Sequence, residues 1–172
     1  MKPFNIVEPK TFYVPTPIYI FDLDGTLADN SHRTHFIDRE GKPNDFRPNW
    51  DLYFDACDAD GVHWPVLGLF LQLYNVGADL RIWTGRRTKE RGKTLVWLHA
   101  VTKINLSVLD HMLKMRSDDD HTPDHQLKQK WLNLMSPAER NRLTMAIEDR
   151  SSVVAMWRKN DVTCLQCAPG DF

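Results

Sequence analysis

The ten residues Ile18-Tyr19-Ile20-Phe21-Asp22-Leu23-Asp24-Gly25-Thr26-Leu27 constrain this chain more than any other stretch. The first four are apolar or aromatic, follow a Pro-rich entry, and read as a strand buried on both faces. Two carboxylates then arrive two residues apart, where the chain should leave its sheet. In extended or just-turning backbone such residues point the same way, so Asp22 and Asp24 can share one small site. Carboxylates that close shift each other's pKa unless a cation or positive side chain lies between them. A plain turn is the competing reading, because Asp-Gly suits turns and an Asp after a strand often caps the next helix. The choice depends on whether the rest of the chain supplies positive charge and further acids.

A chain of 172 residues is expected to form one domain with a real hydrophobic core. Its formal net charge of −1 denies it the broad positive field of a duplex-coating protein, so contact with nucleic acid would be local, at an end or a short single strand. No window approaches the ~18 unbroken apolar residues of a membrane span, so no membrane partner is expected. Residues 1–17 lack the basic-then-apolar pattern of a secretory leader. Three cysteines, Cys57, Cys164 and Cys167, are too few and too odd for a disulfide framework and fit a reducing, cytoplasmic setting. Cys164-Leu165-Gln166-Cys167 has redox or half-zinc-site spacing, but it sits in strand-like sequence with no second pair nearby, which favours a structural role.

Residues 1–15 read as an extended arm, and 16–172 as the folded domain. Residues 45–59 can hold one short helix, inside a polar and aromatic insertion that forms a small cap at about 34–62. Helical spacing marks 64–76, ending at Gly77. A short strand at 80–83 runs into Thr84-Gly85-Arg86-Arg87. A helix at 88–101 and a strand at 112–116 follow. Thr122 as cap with Pro123 at the first position opens another helix, and Ser136-Pro137-Ala138-Glu139 forms a capping box. A strand at 143–147 ends in Glu148-Asp149, followed by a helix at 151–159 and a last strand at 162–168. Strands alternating with helices give an α/β, Rossmann-like, mostly parallel sheet with helices on both faces. Sites in such sheets lie beyond the carboxyl ends of the strands, where Asp22, Asp24, Thr84, Glu148 and Asp149 are expected to converge.

Together these residues suit phosphoryl transfer. Asp22, Asp24, Glu148 and Asp149 are an oxygen-only set fit for Mg²⁺. Thr84 and the backbone at Gly85 can bind a phosphoryl oxygen. Lys128 can hold the carboxylates ionised, which buried and unpaired would cost several kcal/mol each.

The chain resembles the haloacid-dehalogenase superfamily of phosphatases through Asp22-Leu23-Asp24-Gly25-Thr26, Thr84, a downstream lysine and Glu148-Asp149. Within it, over residues 18–172, it is similar to the 3′-phosphatase domains of T-even bacteriophage polynucleotide kinase/phosphatases. Thr84-Gly85-Arg86, Ala146-Ile147-Glu148-Asp149-Arg150, Val153-Val154, Met156-Trp157-Arg158 and the terminal Gly170-Asp171-Phe172 carry that likeness. The resemblance implies a substrate-side arginine at Arg33 and an Asp-x-x-x-Lys at Asp124 and Lys128; Arg86, directly after the site threonine, can itself fork onto a phosphate. The resemblance also implies Asp22 as nucleophile, Asp24 as general acid and base, and Mg²⁺ held by Asp22, the Asp24 carbonyl and the Glu148-Asp149 pair, with Asp149 favoured. The family's first acid of that pair is usually Asp, and an Arg expected just before the Asp-x-x-x-Lys is here Thr122. No stretch matches a kinase phosphate loop, so a separate kinase or ligase is the expected partner. The setting would be the host cytoplasm if the chain is phage-encoded.

Lys130 competes with Lys128, which is preferred for its spacing from Asp124. Arg87, Lys89, Arg91 and Lys93 form a basic run, either a solvated helix face or a path for a nucleic-acid backbone. Trp50, Tyr53, Phe54 and Trp64 can stack a base or fill a core. Asp118-Asp119-Asp120 reads as a solvated loop. Three functions remain to be separated: a 3′-phosphatase acting on DNA or RNA ends, a nucleoside monophosphate phosphatase, and a non-catalytic binding module on the same fold.

Overall fold

A computed structural model describes residues 15–39 and 41–170. The arm expected at 1–15 therefore lies almost wholly outside the described residues, as do Asp171 and Phe172 of the terminal Gly-Asp-Phe. The strands β1 (Ile18–Phe21), β4 (Asp79–Arg87), β5 (Leu113–Arg116), β6 (Leu143–Glu148) and β7 (Cys164–Gln166) form one sheet in the order β5-β4-β1-β6-β7. All four pairings are parallel. The antiparallel pair β2 (Ala28–Asp29) and β3 (Gly61–Val62) closes the neck of the cap insertion.

Alternation along β1 splits the core in two. Phe21 and Ile82 pack with α2 (Trp64–Asn75), α3 (Arg91–Thr102) and α4 (Leu106–Met112) through Leu67, Phe70, Leu98 and Leu109. Ile18, Ile20 and Trp83 pack on the other face with α5 (Asp124–Asn133) and α7 (Ser151–Lys159) through Leu127, Trp131, Val153 and Trp157. With both faces covered, the central strand is apolar throughout, as a parallel sheet requires. The chain moves outward from β1 to β4 and β5, then returns across β1 to β6. The reversal opens a crevice at the carboxyl end of β1, the place where such sheets bind ligands.

Several local expectations shift. The short strand of 80–83 is the nine-residue β4, so Thr84 lies inside it; pairing with β5 resumes beyond a register break, Arg87 opposite Arg116. Pro123, and not Thr122, is the N-cap of α5, and the Thr122 hydroxyl instead accepts from Lys130 Nζ at 3.0 Å. Helix α4 went unforeseen because its seven residues span too few turns to show a period. The 88–101 helix opens with a 3₁₀ turn at Thr88–Glu90. The cap holds α1 (Trp50–Asp55) with 3₁₀ turns at Ser31–Phe36 and Ala56–Ala59 on either side. The last strand is only three residues long, and Cys164 and Cys167 are free thiols. The Ser136–Glu139 capping box is present with both of its reciprocal bonds, and α6 (Pro137–Arg142) follows it. No helix among the described residues is long and apolar enough to cross a membrane.

Candidate active site

Beyond β1 the backbone turns sharply. Asp22 N–H donates to Ile147 O at 2.9 Å, tying the strand end to β6. The amides of Thr26, Leu27 and Ala28 all donate to Leu23 O, which curls the chain back under Asp24. Gly25 takes φ of +81°, and a Cβ there would lie 2.1 Å from Asp149 Oδ2. Both facts call for glycine: the dihedral disfavours a side chain and the space belongs to an acid.

The two aspartates have different surroundings. Asp22 receives a bond from Lys128 Nζ, which also donates to Glu148 and lies 3.4 Å from Asp124. Burial raises the Asp22 pKa well above its ordinary value, Glu148 raises it further, and Lys128 only partly opposes them. Lys128 is also fully buried; desolvation works against its charge, but Asp124, Asp22 and Glu148 hold it protonated. Burial and neighbouring carboxylates push Glu148 up to about 7 and Asp149 up to about 6. Lys128, even with Arg150 nearby, leaves the Asp22, Glu148 and Asp149 carboxylates short of positive charge, as their raised pKa values show.

Asp24 faces two arginines. Arg33 donates to Asp24 Oδ1 at 2.6 Å, and Arg86 donates through Nε at 2.9 Å and through a terminal nitrogen at 2.5 Å. Burial alone would raise the Asp24 pKa, but Arg86 and Arg33 overcome it and hold the carboxyl at about 2. Neither guanidinium is exposed. Both are fixed from behind by Asp60, which accepts from Arg33 Nε at 2.6 Å and from Arg86 at 2.5 Å. Its own carbonyl accepts from Trp97 Nε1 at 2.8 Å. Asp60 was not singled out from the sequence. Among Asp55, Asp58 and Asp60 no pattern marks it, and only its fold position at the base of the cap does so.

Thr84 is fully buried and its hydroxyl accepts from Arg86 N–H at 3.2 Å. Beside it, Gly85 could not carry a side chain without meeting Asp124 Oδ1 at 2.8 Å. Arg116 ties these pieces together, donating to Gly85 O at 3.0 Å and to Asp124 at 3.2 Å. Desolvation opposes charge on Asp124, but Lys128, Arg150 and Arg116 outweigh it and lower its pKa. Where the sequence shows Thr122 in place of an expected arginine, Arg116 from the end of β5 puts a guanidinium on Asp124. The signal was invisible because β5 is eight residues upstream. From the chain's other end, Gln166 Nε2 donates to Asp149 O at 2.8 Å and Cys167 N–H donates to Glu148 O at 2.8 Å.

Carboxylate oxygens of Asp22, Glu148 and Asp149 lie within 4.8 Å of one another, all on buried residues. An oxygen-only donor set with upward-pushed pKa values fits a hard divalent cation, which would relieve the excess negative charge.

The other residues named from sequence divide. Lys128 points into the site, whereas Lys130 lies outside on Thr122. The basic run is occupied by acids: Arg87 and Lys89 on Asp51, Lys93 on Asp55, and Arg91 on Asp110. Three of these four fasten cap helix α1 to the body. Tyr53 and Phe54 are buried, while Trp50 and Trp64 are exposed. Trp50 alone of those two lines the cavity of about 660 Å³ that Asp22, Asp24, Gly85, Asp124 and Asp149 also line. Asp118 is taken by the Thr88 hydroxyl at 2.9 Å and the Lys89 amide at 2.8 Å.

The family model described as the polynucleotide kinase PNKP phosphatase domain matches residues 16–172. Among solved structures, a chain of the Pnkp1/Rnl/Hen1 RNA repair complex is 23% identical with a TM-score of 0.68, covering 99% of this chain and 50% of that one. A second structure of that complex gives 23% and 0.67, with 100% and 52% covered. This chain thus spans about half the length of those relatives. The class C acid phosphatase from Bacillus anthracis with tungstate bound is 12% identical, with a TM-score of 0.62 and coverage of 92% and 69%. At such identities these likenesses establish a shared fold.

Proposed function

Because the chain belongs to the family of polynucleotide kinase PNKP phosphatase domains, we propose that it is a Mg²⁺-dependent phosphatase that removes 3′-terminal phosphates from DNA or RNA ends. The observation that carries this reading is the division of labour between the two aspartates. Asp22 rests on Lys128 beside the acid cluster, and Asp24, which lines the same cavity, rests on two arginines buried behind it.

In the proposed reaction an Asp22 oxygen attacks phosphorus in line, forming an aspartyl-phosphate as the P–O bond to the 3′-oxygen breaks. Asp24 gives its proton to that departing oxygen, then takes one from the water that hydrolyses the intermediate. The ligand-free arrangement, with Asp24 at about 2, suits the second role. A phosphate dianion entering the cavity would place negative charge beside Asp24, whose pKa would rise toward the protonated form needed first. Thr84 hydroxyl, the Gly85 amide and Lys128 would stabilise the equatorial oxygens. Mg²⁺ held by Asp22, Asp149 and the Asp24 carbonyl, with Glu148 behind on Lys128, would supply charge neutralisation between nucleophile and phosphate.

The relatives in the Pnkp1/Rnl/Hen1 complex are about twice as long. A kinase acting on 5′-ends and a ligase consuming the freed 3′-hydroxyl are therefore the expected partners, on this polypeptide's neighbours or on separate chains. The test is phosphate release from a 3′-phosphorylated oligonucleotide and from 3′- and 5′-mononucleotides, with and without Mg²⁺. The oligonucleotide should be the best substrate, and only with metal. Faster release from mononucleotides would replace this reading by a nucleotidase, and release from none would leave a binding module.

A further inference from the structure

The cavity is much larger than the phosphate-sized pocket the two aspartates need. Its volume of about 660 Å³ is on the scale of sites that hold whole small molecules. Beyond the phosphate, the wall is built by the cap: Arg47, Pro48, Trp50, Tyr53 and Phe54 line the same space. Trp50 is 44% exposed there. It is nevertheless held in place, stacked on Phe54 at 5.9 Å and 28° and edge-on to Tyr53 at 5.6 Å. A rigid, half-open indole at a cavity mouth is a surface suited to another flat ring.

The charges on the rim point the same way. Arg87 is engaged by Asp51 and Glu90 and lies 5.0 Å from the Phe54 ring centre. Lys89 and Lys93 are likewise held by acids of α1. Arg47 is exposed and has no ion-pair partner among the described residues. An aromatic platform beside a free guanidinium is how single-stranded nucleic acid is gripped without reading its sequence: the base stacks and the backbone phosphate is neutralised.

We propose that Trp50 stacks a base of the substrate's 3′-terminal segment while Arg47 takes an adjacent phosphodiester. The cap rim is then a subsite that selects nucleic-acid ends over bare phosphate esters. This rests on the polynucleotide reading and names the residues that would enforce it.

The experiment compares a 3′-phosphorylated single-stranded hexanucleotide with the same oligomer carrying abasic sugars at its last two positions. The wild-type protein should show a KM about tenfold higher for the abasic oligomer, the scale of one lost stacking contact. Trp50→Ala should bring the two KM values within about twofold, by raising the base-bearing one. Trp50→Phe should keep most of the discrimination. Arg47→Ala should raise both KM values alike and lower the salt slope by about 0.7, one phosphate contact on a single strand. Should Trp50→Ala not fold, Trp50→Leu keeps bulk without the stacking face and carries the comparison. Discrimination that survives loss of Trp50, or is missing from the wild type, overturns the subsite and leaves the polynucleotide reading standing. A wild type that cleaves an aryl phosphate but neither oligomer overturns that reading, and the subsite with it.

Discussion

Asp60 Oδ2 lies 2.5 Å from an Arg86 terminal nitrogen, with both side chains fully buried. The same carboxylate holds Arg33 through Nε at 2.6 Å. It is the counter-charge behind two guanidinia whose fronts face Asp24. Removing one partner of a buried ion pair leaves the other uncompensated, which costs about 3–5 kcal/mol. Asp60→Ala should therefore lower unfolding stability by that order in urea titration, and lower turnover in the molecules still folded. A loss under about 1 kcal/mol would mean that water replaces Asp60 and that the arginines are not held from behind.

Asp22→Asn tests the nucleophile. An amide cannot attack phosphorus, so turnover should fall on the order of 10⁴-fold or more. Stability should hold or rise, because burial already works against charge on Asp22 and Lys128 keeps Glu148 and Asp124. Phosphate release and a thermal melt read the two outcomes separately. Near-normal turnover would remove Asp22 from the proposed role.

Metal removal gives a third prediction. EDTA should abolish turnover and Mg²⁺ should restore it. Mg²⁺ should also raise Tm, by roughly 2.7 kcal/mol of added stability at a concentration ~100 times its Kd. Asp149→Ala should abolish that rise, which ties it to the cluster of Asp22, Glu148 and Asp149. A Tm indifferent to Mg²⁺ in the unmutated protein would count against a cation there.

Two glycines with nearly equal φ separate strain from crowding. Gly25 has φ of +81° and Gly77 has φ of +79°. A Cβ at Gly77 meets nothing within 4 Å, whereas at Gly25 it meets Asp149 Oδ2 at 2.1 Å. Gly77→Ala should cost about 1 kcal/mol, the strain alone. Gly25→Ala should cost more and also depress turnover by displacing Asp149. Equal effects on stability and activity at the two positions would contradict the close approach.

Glu139 supplies a pH dependence away from the site. Its backbone bond to Ser136, with help from Arg81, holds its carboxyl at about 2, below the ordinary 4.5. A depressed acid stabilises the fold above its unfolded pKa, and that contribution is lost as pH falls through the folded value. Glu139→Ala should cost roughly 1 kcal/mol at neutral pH, and the gap to wild type should close between about pH 4.5 and 2. Ser136→Ala removes the hydroxyl and should retain more of its cost in acid. Urea midpoints across that range give the comparison.

Much of the site was legible before folding. Asp22, Asp24, Thr84, Lys128, Glu148 and Asp149 were each named from position and chemistry. Strand ends of a parallel sheet converge whatever the lengths of the helices between them, so placing residues at strand ends places them together. Helix starts were legible where a side chain announces them, as at Ser136 and Glu139. They were less so where the announcing pair sat one residue off, as at Thr122 and Pro123. Short helix α4 carried too few turns to declare a period.

Other facts required three dimensions. Asp60 and Arg116 sit 36 and 92 residues from Asp24 along the chain, and nothing local marks either one. Each matters only because the cap folds back beneath Asp24 or because β5 ends beside Asp124. The basic run looked free in sequence; tertiary contact gave its charges to Asp51, Asp55 and Asp110 and left Arg47 on the rim without an ion pair among the described residues. Likewise, Trp50, Tyr53, Phe54 and Trp64 looked equivalent in sequence, and packing buried Tyr53 and Phe54 while presenting Trp50 to the cavity. Local sequence, then, determined the strands of the parallel sheet, most of the helices between them and the acids at the strand ends, because hydrophobic period and turn chemistry act over a few residues. Tertiary structure decided which charge answers which and which ring stays open, because electrostatics and burial act through space and ignore chain distance.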